Sequence, residues 1–209
     1  NQLKKKIDIN EQISKKFFYN SKIRFTSSEK DLKNCNVFIV TVPTPINNDR
    51  TPNLKPLKRA SQTISKYLKK KDIVIFESTV YPGLTEEILV PIIRQKTNYN
   101  INKDFYIGYS PERISPGDRK NISEIKKVVS GSNAESGKII YNLYKKIIKA
   151  GIYLAPNIKT AEACKMLENI QRDVNISLMN EASIIFNKLN IDTFEVLKAA
   201  NTKWNFLNF

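Results

Sequence analysis

Three short apolar segments, each followed by a compact polar turn, limit the fold of this chain more than any other feature. The segments are residues 37–42, 73–76 and 105–109. The turns after them carry Thr44, Thr79 and Glu112, and helical apolar spacing over 55–68 and 85–95 separates the segments. Continuous apolar strands that alternate with helices predict an α/β fold, in which helices cover both faces of a parallel sheet. Because ligands collect at the carboxyl ends of such strands, the pattern favours a nucleotide-dependent enzyme.

The character of the chain changes near residue 155. Before this point, the spacing also predicts a short strand at 23–26, a strand at 127–129 and a helix at 134–148. After it, the stretch 158–189 contains neither Gly nor Pro and carries apolar residues three, four and seven apart, which predicts one long helix. A second helix follows, with Asp192 or Thr193 as its cap. We therefore predict two domains, an α/β domain at 1–155 and an all-helical domain at 156–209.

Composition excludes several classes of function. The net charge of +15 comes from lysines dispersed over helices and loops, which indicates solvated surfaces and no nucleic-acid partner. With no histidine, the chain excludes His-based triads and His-ligated zinc; Cys35 and Cys164 form neither a metal motif nor a disulfide framework, and no metal is expected. No apolar run approaches the ~20 residues that span a bilayer, and no secretory signal is visible. We expect a protein of the reducing cytoplasm with no membrane partner.

Four polar residues are candidates for chemistry. Lys165 and Asn169 are four apart on the long helix and project from the same side, where an ammonium and an amide can hold a developing oxyanion. Thr79 can hydrogen-bond a cofactor or a water, and Glu112 can act as a base through water. Plainer interpretations stay open. Lys165 and Asn169 would be exposed polar residues on a lysine-rich helix. Thr79 and its neighbour would cap the following helix, and Glu112 would form a surface ion pair with the arginine after it.

Five longer motifs connect these residues to a known family. They are FIVTVPTPI (38–46), IVIFESTVYPG (73–83), GYSPERISPGD (108–118), AEACKMLENIQRDVNISLMNE (161–181) and LKAANTKWNF (197–206). In this collinear order, the chain resembles the UDP-glucose/GDP-mannose dehydrogenase family over essentially its whole length. The run SPERISPGD points to the branch that oxidises UDP-N-acetylglucosamine or UDP-N-acetylgalactosamine to uronic acids for surface polysaccharides.

The resemblance implies two successive oxidations of C6 of a nucleotide sugar with two NAD molecules, through a thiohemiacetal and a thioester on a cysteine. Thr79 would lie close to the reacting centre, and Glu112 would position or activate the hydrolytic water. Lys165 and Asn169 would stabilise the oxyanion. The NAD contacts carried over by position are Val42, Pro43, Thr44, Ser78, Thr79 and Val80. The substrate contacts carried over are Glu112, Arg113, Ile114, Ser115, Pro116, Lys165 and Asn169.

The resemblance also implies how these parts are organised. Residues 1–155 would form an NAD-binding domain with a partial Rossmann-like sheet. Residues 156–209 would form a helical central domain that makes a homodimer through the long helix 158–189. A UDP-sugar would be the substrate.

Two features of the family's pattern have no counterpart in this sequence. Its six glycines, at 83, 108, 117, 131, 137 and 151, contain no GxGxxG fingerprint for a pyrophosphate, and neither cysteine occupies the place of the family's nucleophile. We therefore expect a fragment without the first Rossmann strand and the carboxy-terminal cysteine segment, and no measurable two-step oxidation by residues 1–209 alone. The alternatives are a UDP-glucose or GDP-mannose 6-dehydrogenase and a non-catalytic basic binding or scaffold protein.

Overall fold

Five strands form one sheet. The structure is a computed structural model that describes Lys5, Tyr19 and residues 22–114 and 121–207. Across the sheet, the strands follow their order in the chain. They are β1 (Val37–Val40), β2 (Ile73–Phe76), β3 (Tyr106–Tyr109), β4 (Lys127–Gly131) and β5 (Ile152–Leu154). The first three are parallel, β4 runs antiparallel to β3, and β5 is parallel to β4.

Helices pack on both faces of this sheet, as the sequence predicts. They are α1 (Lys55–Ser65), a π-helical turn (Thr85–Leu89) that continues into α2 (Val90–Thr97), α3 (Ala134–Lys145), α4 (Ile158–Lys188) and α5 (Thr193–Ala200). Successive residues of a strand point to opposite faces, so β2 contributes to two cores. Val74 and Phe76 pack with α1, α2 and the start of α4, whereas Ile73 and Ile75 pack with α3.

The all-helical part begins with a capped helix. The Asn157 side chain accepts a hydrogen bond from Thr160 N at 2.8 Å, and α4 then runs for 31 residues. Its buried side chains are confined to Ile158, Ala161 and Glu162, so most of the helix extends away from the sheet. Asp192 caps α5 by accepting from the backbone nitrogens of the second and third residues after it, which confirms the predicted cap. In the part of the chain that the structure describes, no helix combines the length and apolar character needed to cross a bilayer.

Two predicted features of the sheet are wrong, and one strand was missed. Residues 22–28 form no strand; Ile23 is exposed, Arg24 forms an ion pair with Asp31 at 2.8 Å, and no strand in the described part of the chain lies beside this segment. The strand at 127–129 does not extend the parallel pattern. In the described part of the connection before β4 there is only a one-turn 3-10 helix, so the chain turns at the carboxyl edge of β3 and runs back. The short strand β5 was not predicted.

Candidate active site

The three polar turns leave the sheet side by side at one edge. In the parallel register Val40 pairs with Phe76 and Phe76 with Tyr109, so the carboxyl ends of β1, β2 and β3 coincide. Pairing continues one residue further, since Glu77 N donates to Val40 O and Ser110 N donates to Phe76 O, both at 2.9 Å. All three turns therefore begin at the edge where the sequence predicts a ligand.

The first two turns are tied to each other. The buried Ser78 hydroxyl donates to the Val42 carbonyl at 2.6 Å, so Ser78 is not the cap of the following helix, and that plainer interpretation is wrong for it. Val80 packs into the core. The Thr44 hydroxyl is buried and has no hydrogen-bond partner within the described ranges. Pro43 is exposed beside it.

Lys165 joins the third turn to the long helix. Its ammonium group donates a short hydrogen bond to the backbone carbonyl of Glu112, and its Nζ lies 3.9 Å from the Glu112 carboxylate. The Lys165 side chain is only 12% exposed, whereas that of Glu112 is 46% exposed. A buried ammonium has three donors, and one of them is committed to the carbonyl. Lys165 and Glu112 are therefore in direct contact, and the roles predicted for them stay predictions.

Arg113 also contacts the long helix, whereas the sequence had suggested an ion pair with Glu112. Its guanidinium forms a two-pronged ion pair with Glu168, with Nε at 3.2 Å from one carboxylate oxygen and a shorter bond from Nη2 to the other. Nη1 donates to the Lys126 carbonyl at 2.9 Å. The plain ion pair between Arg113 and Glu112 is therefore absent from the described structure. Glu168 was missed as a site residue, although its spacing of three from Lys165 places it on the same side of α4.

Other predicted residues lie near this contact without joining it. Thr79 is exposed at the sheet edge, and Asn169 is exposed on α4, where its amide oxygen accepts a 3.4 Å bond from Arg172. Within the described residues, neither forms a hydrogen bond or ion pair with Glu112. Ile114 N donates to the Glu112 carboxylate through a short bond. Ser115 and Pro116 lie outside the residues that the structure describes.

A buried charge pair that the sequence did not reveal lines the same cleft as Glu112. The Lys127 ammonium lies 3.0 Å from the Glu77 carboxylate, with side chains 8% and 16% exposed. The Tyr144 hydroxyl donates a short hydrogen bond to Glu77, and Lys127 lies over the Tyr144 ring at 5.1 Å. Burial raises the pKa of the Tyr144 phenol, and the Glu77 carboxylate raises it further. Each charge of the pair therefore has an oppositely charged partner, and Glu77 has the Tyr144 hydroxyl as a second partner.

Neither cysteine is activated as a nucleophile. The Cys164 thiol donates to Glu168 at 3.3 Å, and burial together with this carboxylate raises its pKa, which keeps the thiol protonated. Cys35 precedes β1, at the opposite end of the strand from the polar turns. In the described ranges, no group of three or more Cys, Asp or Glu side chains is placed to hold a metal ion.

Comparison with known proteins decides the family. Residues 3–148 match the NAD binding domain of the UDP-glucose/GDP-mannose dehydrogenase family, and residues 159–209 match the central domain of the same family. The chain belongs to this family. The family resemblance stated from the motifs is confirmed, whereas a boundary near residue 155 and the roles of individual residues stay predictions.

Two curated relatives are similar over most of the chain. A UDP-N-acetyl-D-glucosamine 6-dehydrogenase of Pseudomonas aeruginosa is 56% identical over 190 residues, which cover 90% of this chain and 45% of the relative. One of Salmonella typhi is 51% identical over 210 residues, covering 100% of this chain and 49% of the relative. The chain therefore spans about half the length of the curated family members it matches.

A solved structure of the family has the same fold. The UDP-D-ManNAc dehydrogenase of Pyrococcus horikoshii superposes with a TM-score of 0.82 at 33% identity, covering 88% of this chain and 44% of that one. This likeness confirms the predicted Rossmann-like α/β class.

Proposed function

We propose that this protein takes part in the NAD-dependent oxidation of C6 of a UDP-N-acetylhexosamine to the uronic acid, for surface polysaccharide biosynthesis. The observation that carries the proposal is the contact between the Lys165 ammonium and Glu112 at the carboxyl edge of the sheet. It occurs in a chain 56% identical to a UDP-N-acetyl-D-glucosamine 6-dehydrogenase. UDP-glucose and GDP-mannose are the alternative substrates, because the family as a whole includes enzymes named for both.

The edge of the sheet next to β1 suits a dinucleotide. An open groove runs between β1 and α1, with apolar walls that include Val40, Val42 and Ile64. Close to its end lies the buried Thr44 hydroxyl, which has no hydrogen-bond partner among the described residues and would pair with a polar group of a ligand. The residues that would hold NAD are Val42, Pro43, Thr44, Ser78, Thr79 and Val80. When bound, NAD supplies the hydride acceptor. Ser78 would act by holding the first two turns together, since its hydroxyl is already committed.

Lys165, Asn169 and Glu112 divide the remaining roles in this proposal. The free donors of the Lys165 ammonium, with the Asn169 amide beside it, would stabilise negative charge on the substrate oxygen at C6. The half-exposed Glu112 carboxylate would take the proton from a hydroxyl or a water. Arg113 is committed to Glu168 and to a backbone carbonyl, so it would shape the 112–114 turn and not bind a phosphate.

Binding by the chain itself tests this function. We expect saturable binding of NAD and of UDP-N-acetylglucosamine by calorimetric titration. Replacing Lys165 with methionine should weaken the UDP-sugar about tenfold and leave NAD affinity nearly unchanged, because the ammonium faces the sugar and not the dinucleotide. Lys188→Met, at the far end of the same helix, is the matched control and should change neither affinity.

Two outcomes would contradict the proposal. One is the absence of saturable binding of both ligands by the wild-type chain. The other is equal loss of UDP-sugar binding in Lys165→Met and Lys188→Met. Oligonucleotide binding that weakens steeply with salt would instead support the basic binding protein named as an alternative.

We also propose that α4 pairs with α4 of a second copy of this chain. Leu167, Ile170, Val174 and Leu178 are spaced three or four apart on one side of the helix, and each is about half exposed or more. An apolar stripe of this length on a helix that leaves the sheet is typical of an interface between subunits.

Sedimentation analysis tests the pairing. We expect a dimer for the wild-type chain and a monomer for Ile170→Lys combined with Leu178→Lys, because two charges would have to be buried without partners. Asn180→Lys, on an exposed polar position of the same helix, should leave the dimer intact. A monomeric wild-type chain at millimolar concentration would show that the stripe has another role.

We further infer a cytoplasmic location. Both cysteines are unpaired, which is typical of a reducing compartment. Fractionation of cells that express the protein would test this, and enrichment with a membrane fraction would contradict it.

A further inference from the structure

Glu162 is a buried carboxylate that the proposed chemistry does not use. It lies in the second turn of α4 and is fully shielded from solvent. Its two oxygens accept hydrogen bonds from Gly83 N at 2.6 Å and from Thr85 N at 3.1 Å. Burial raises the pKa of Glu162 above its usual value, and the hydrogen bonds from Thr85 and Gly83 offset this rise only in part. Because both oxygens accept, the arrangement is satisfied by the ionised carboxylate.

The two donors belong to the turn that follows Thr79. Gly83 precedes and Thr85 begins the helical segment after β2, where the free N–H groups of a helix need acceptors. No side chain of that segment caps it, so the cap comes from α4, 77 residues or more along the chain. A carboxylate at this end of a helix is also favoured by the helix dipole. Glu162 therefore connects the end of the turn that follows Thr79 to the long helix through two hydrogen bonds.

The same side of α4 fastens the other turn. Glu162, Lys165 and Glu168 are three residues apart, so they lie above one another on the helix. Lys165 binds the Glu112 carbonyl, and Glu168 binds the Arg113 guanidinium. Three consecutive contacts of α4 thus attach it to the turns after β2 and β3. Beyond Glu168 the helix is largely exposed, and within the described residues no further hydrogen bond or ion pair joins it to the sheet edge.

We propose that Glu162 is a positioning residue, which fixes the Ser78–Thr79–Val80 turn relative to the Lys165–Glu112 contact. Without this carboxylate, the segment after β2 and the helix that carries Lys165 are joined by apolar packing at Ile158 and Ala161 and by an exposed Lys159–Glu87 ion pair at 2.8 Å. An exposed ion pair contributes little to fixing their geometry. Apolar packing is not directional, whereas two hydrogen bonds to one carboxylate set both distance and angle. This inference rests on the proposed function, because it assigns the turn to NAD binding.

Variants of Glu162 separate positioning from stability. Glu162→Gln keeps one acceptor but turns an NH₂ group toward the second backbone donor, and Glu162→Ala removes both acceptors. Ile140→Val and Ile140→Ala are the matched controls, since Ile140 is fully buried in the other core, where α3 packs against the sheet. All variants are compared by thermal unfolding, and NAD is titrated at a temperature where each is folded.

We expect NAD affinity to fall about tenfold in Glu162→Gln and further in Glu162→Ala, while an Ile140 variant with the same melting temperature binds as the wild type does. In amide spectra, the signals of Gly83, Thr85 and Thr79 should move together in the Glu162 variants. If the Glu162 and Ile140 variants of equal stability bind NAD equally, the inference is wrong and Glu162 only stabilises the fold.

The spectra also keep this inference apart from the function it rests on. If the wild-type chain does not bind NAD, the proposed function fails, and the positioning role is judged by the spectra alone. Coupled shifts at Thr79 and Lys165 would then still support it. Shifts confined to Gly83 and Thr85 would overturn it.

Discussion

Lys127→Met is expected to lower the free energy of unfolding by about 3–5 kcal/mol. The Lys127 ammonium lies 3.0 Å from the Glu77 carboxylate in a place where both side chains are almost entirely shielded from water. Removing the ammonium leaves the carboxylate with the Tyr144 hydroxyl but without a positive charge. An unpaired buried charge costs far more than the net value of the pair, and this asymmetry sets the size of the effect.

Urea denaturation with two further variants checks this result. Lys126→Met, at the exposed neighbouring position, should change stability by less than about 0.5 kcal/mol. The double variant Lys127→Met with Glu77→Gln should recover much of the loss, because Gln still accepts from Tyr144 and carries no charge. If Lys127→Met is no worse than Lys126→Met, water reaches the pair and neither charge depends on the other for its stability.

Gly131→Ala is expected to destabilise the protein by about 3 kcal/mol, which is at the upper end for overpacking. Gly131 ends β4 beside the first turn of α3. A methyl group there would fall on the backbone nitrogen of Gly137, and would lie 2.5 Å from the Ser136 hydroxyl and 2.7 Å from the Gly137 Cα. The backbone of a capped helix cannot rotate away as a side chain would, so the strand and the helix must separate.

Gly137→Ala is the matched control, since the two glycines face each other. Its methyl group would meet the Leu154 side chain at 3.3 Å and the Gly131 nitrogen at 3.7 Å, and Leu154 is exposed enough to move. Because Ala is favoured over Gly within a helix by about 1 kcal/mol, this variant should be neutral or slightly stabilising. Thermal unfolding compares the two. Equal melting temperatures would show that β4 and α3 are not in close contact.

The elements that were predicted well are those whose own residues contain the sequence pattern that defines them. Four consecutive apolar residues define β2, and the prediction agrees with the structure to the residue. The absence of Gly and Pro predicted α4 to within one residue at its end. In contrast, the segment 23–26 has the apolar character of a strand but forms none, and within the described ranges no strand runs beside it. The direction of β4 likewise depends on the path of the chain, which local pattern does not encode.

The candidate site divides in the same way. Helical spacing placed Lys165 and Asn169 on one side of α4, and the pattern of strand ends placed Glu112 at the edge facing it. The partners of Arg113 and Glu162 were not predictable, since they lie 55 and 79 residues away along the chain. With 35 cationic and 20 acidic side chains, the sequence offers too many possible pairs for charge alone to choose among them.

The sequence by itself determined the α/β class, the family, the long helix and the edge at which polar residues gather, because periodicity and motif order are properties of the chain read along its length. Only the tertiary structure decided that β4 runs backwards, that Glu77 and Lys127 share a buried site, and that Glu162 fastens α4 to the turn after β2. These depend on which distant groups are brought together away from water. A buried charge without a partner is strongly unfavourable, and which partner it has depends on how the whole chain packs.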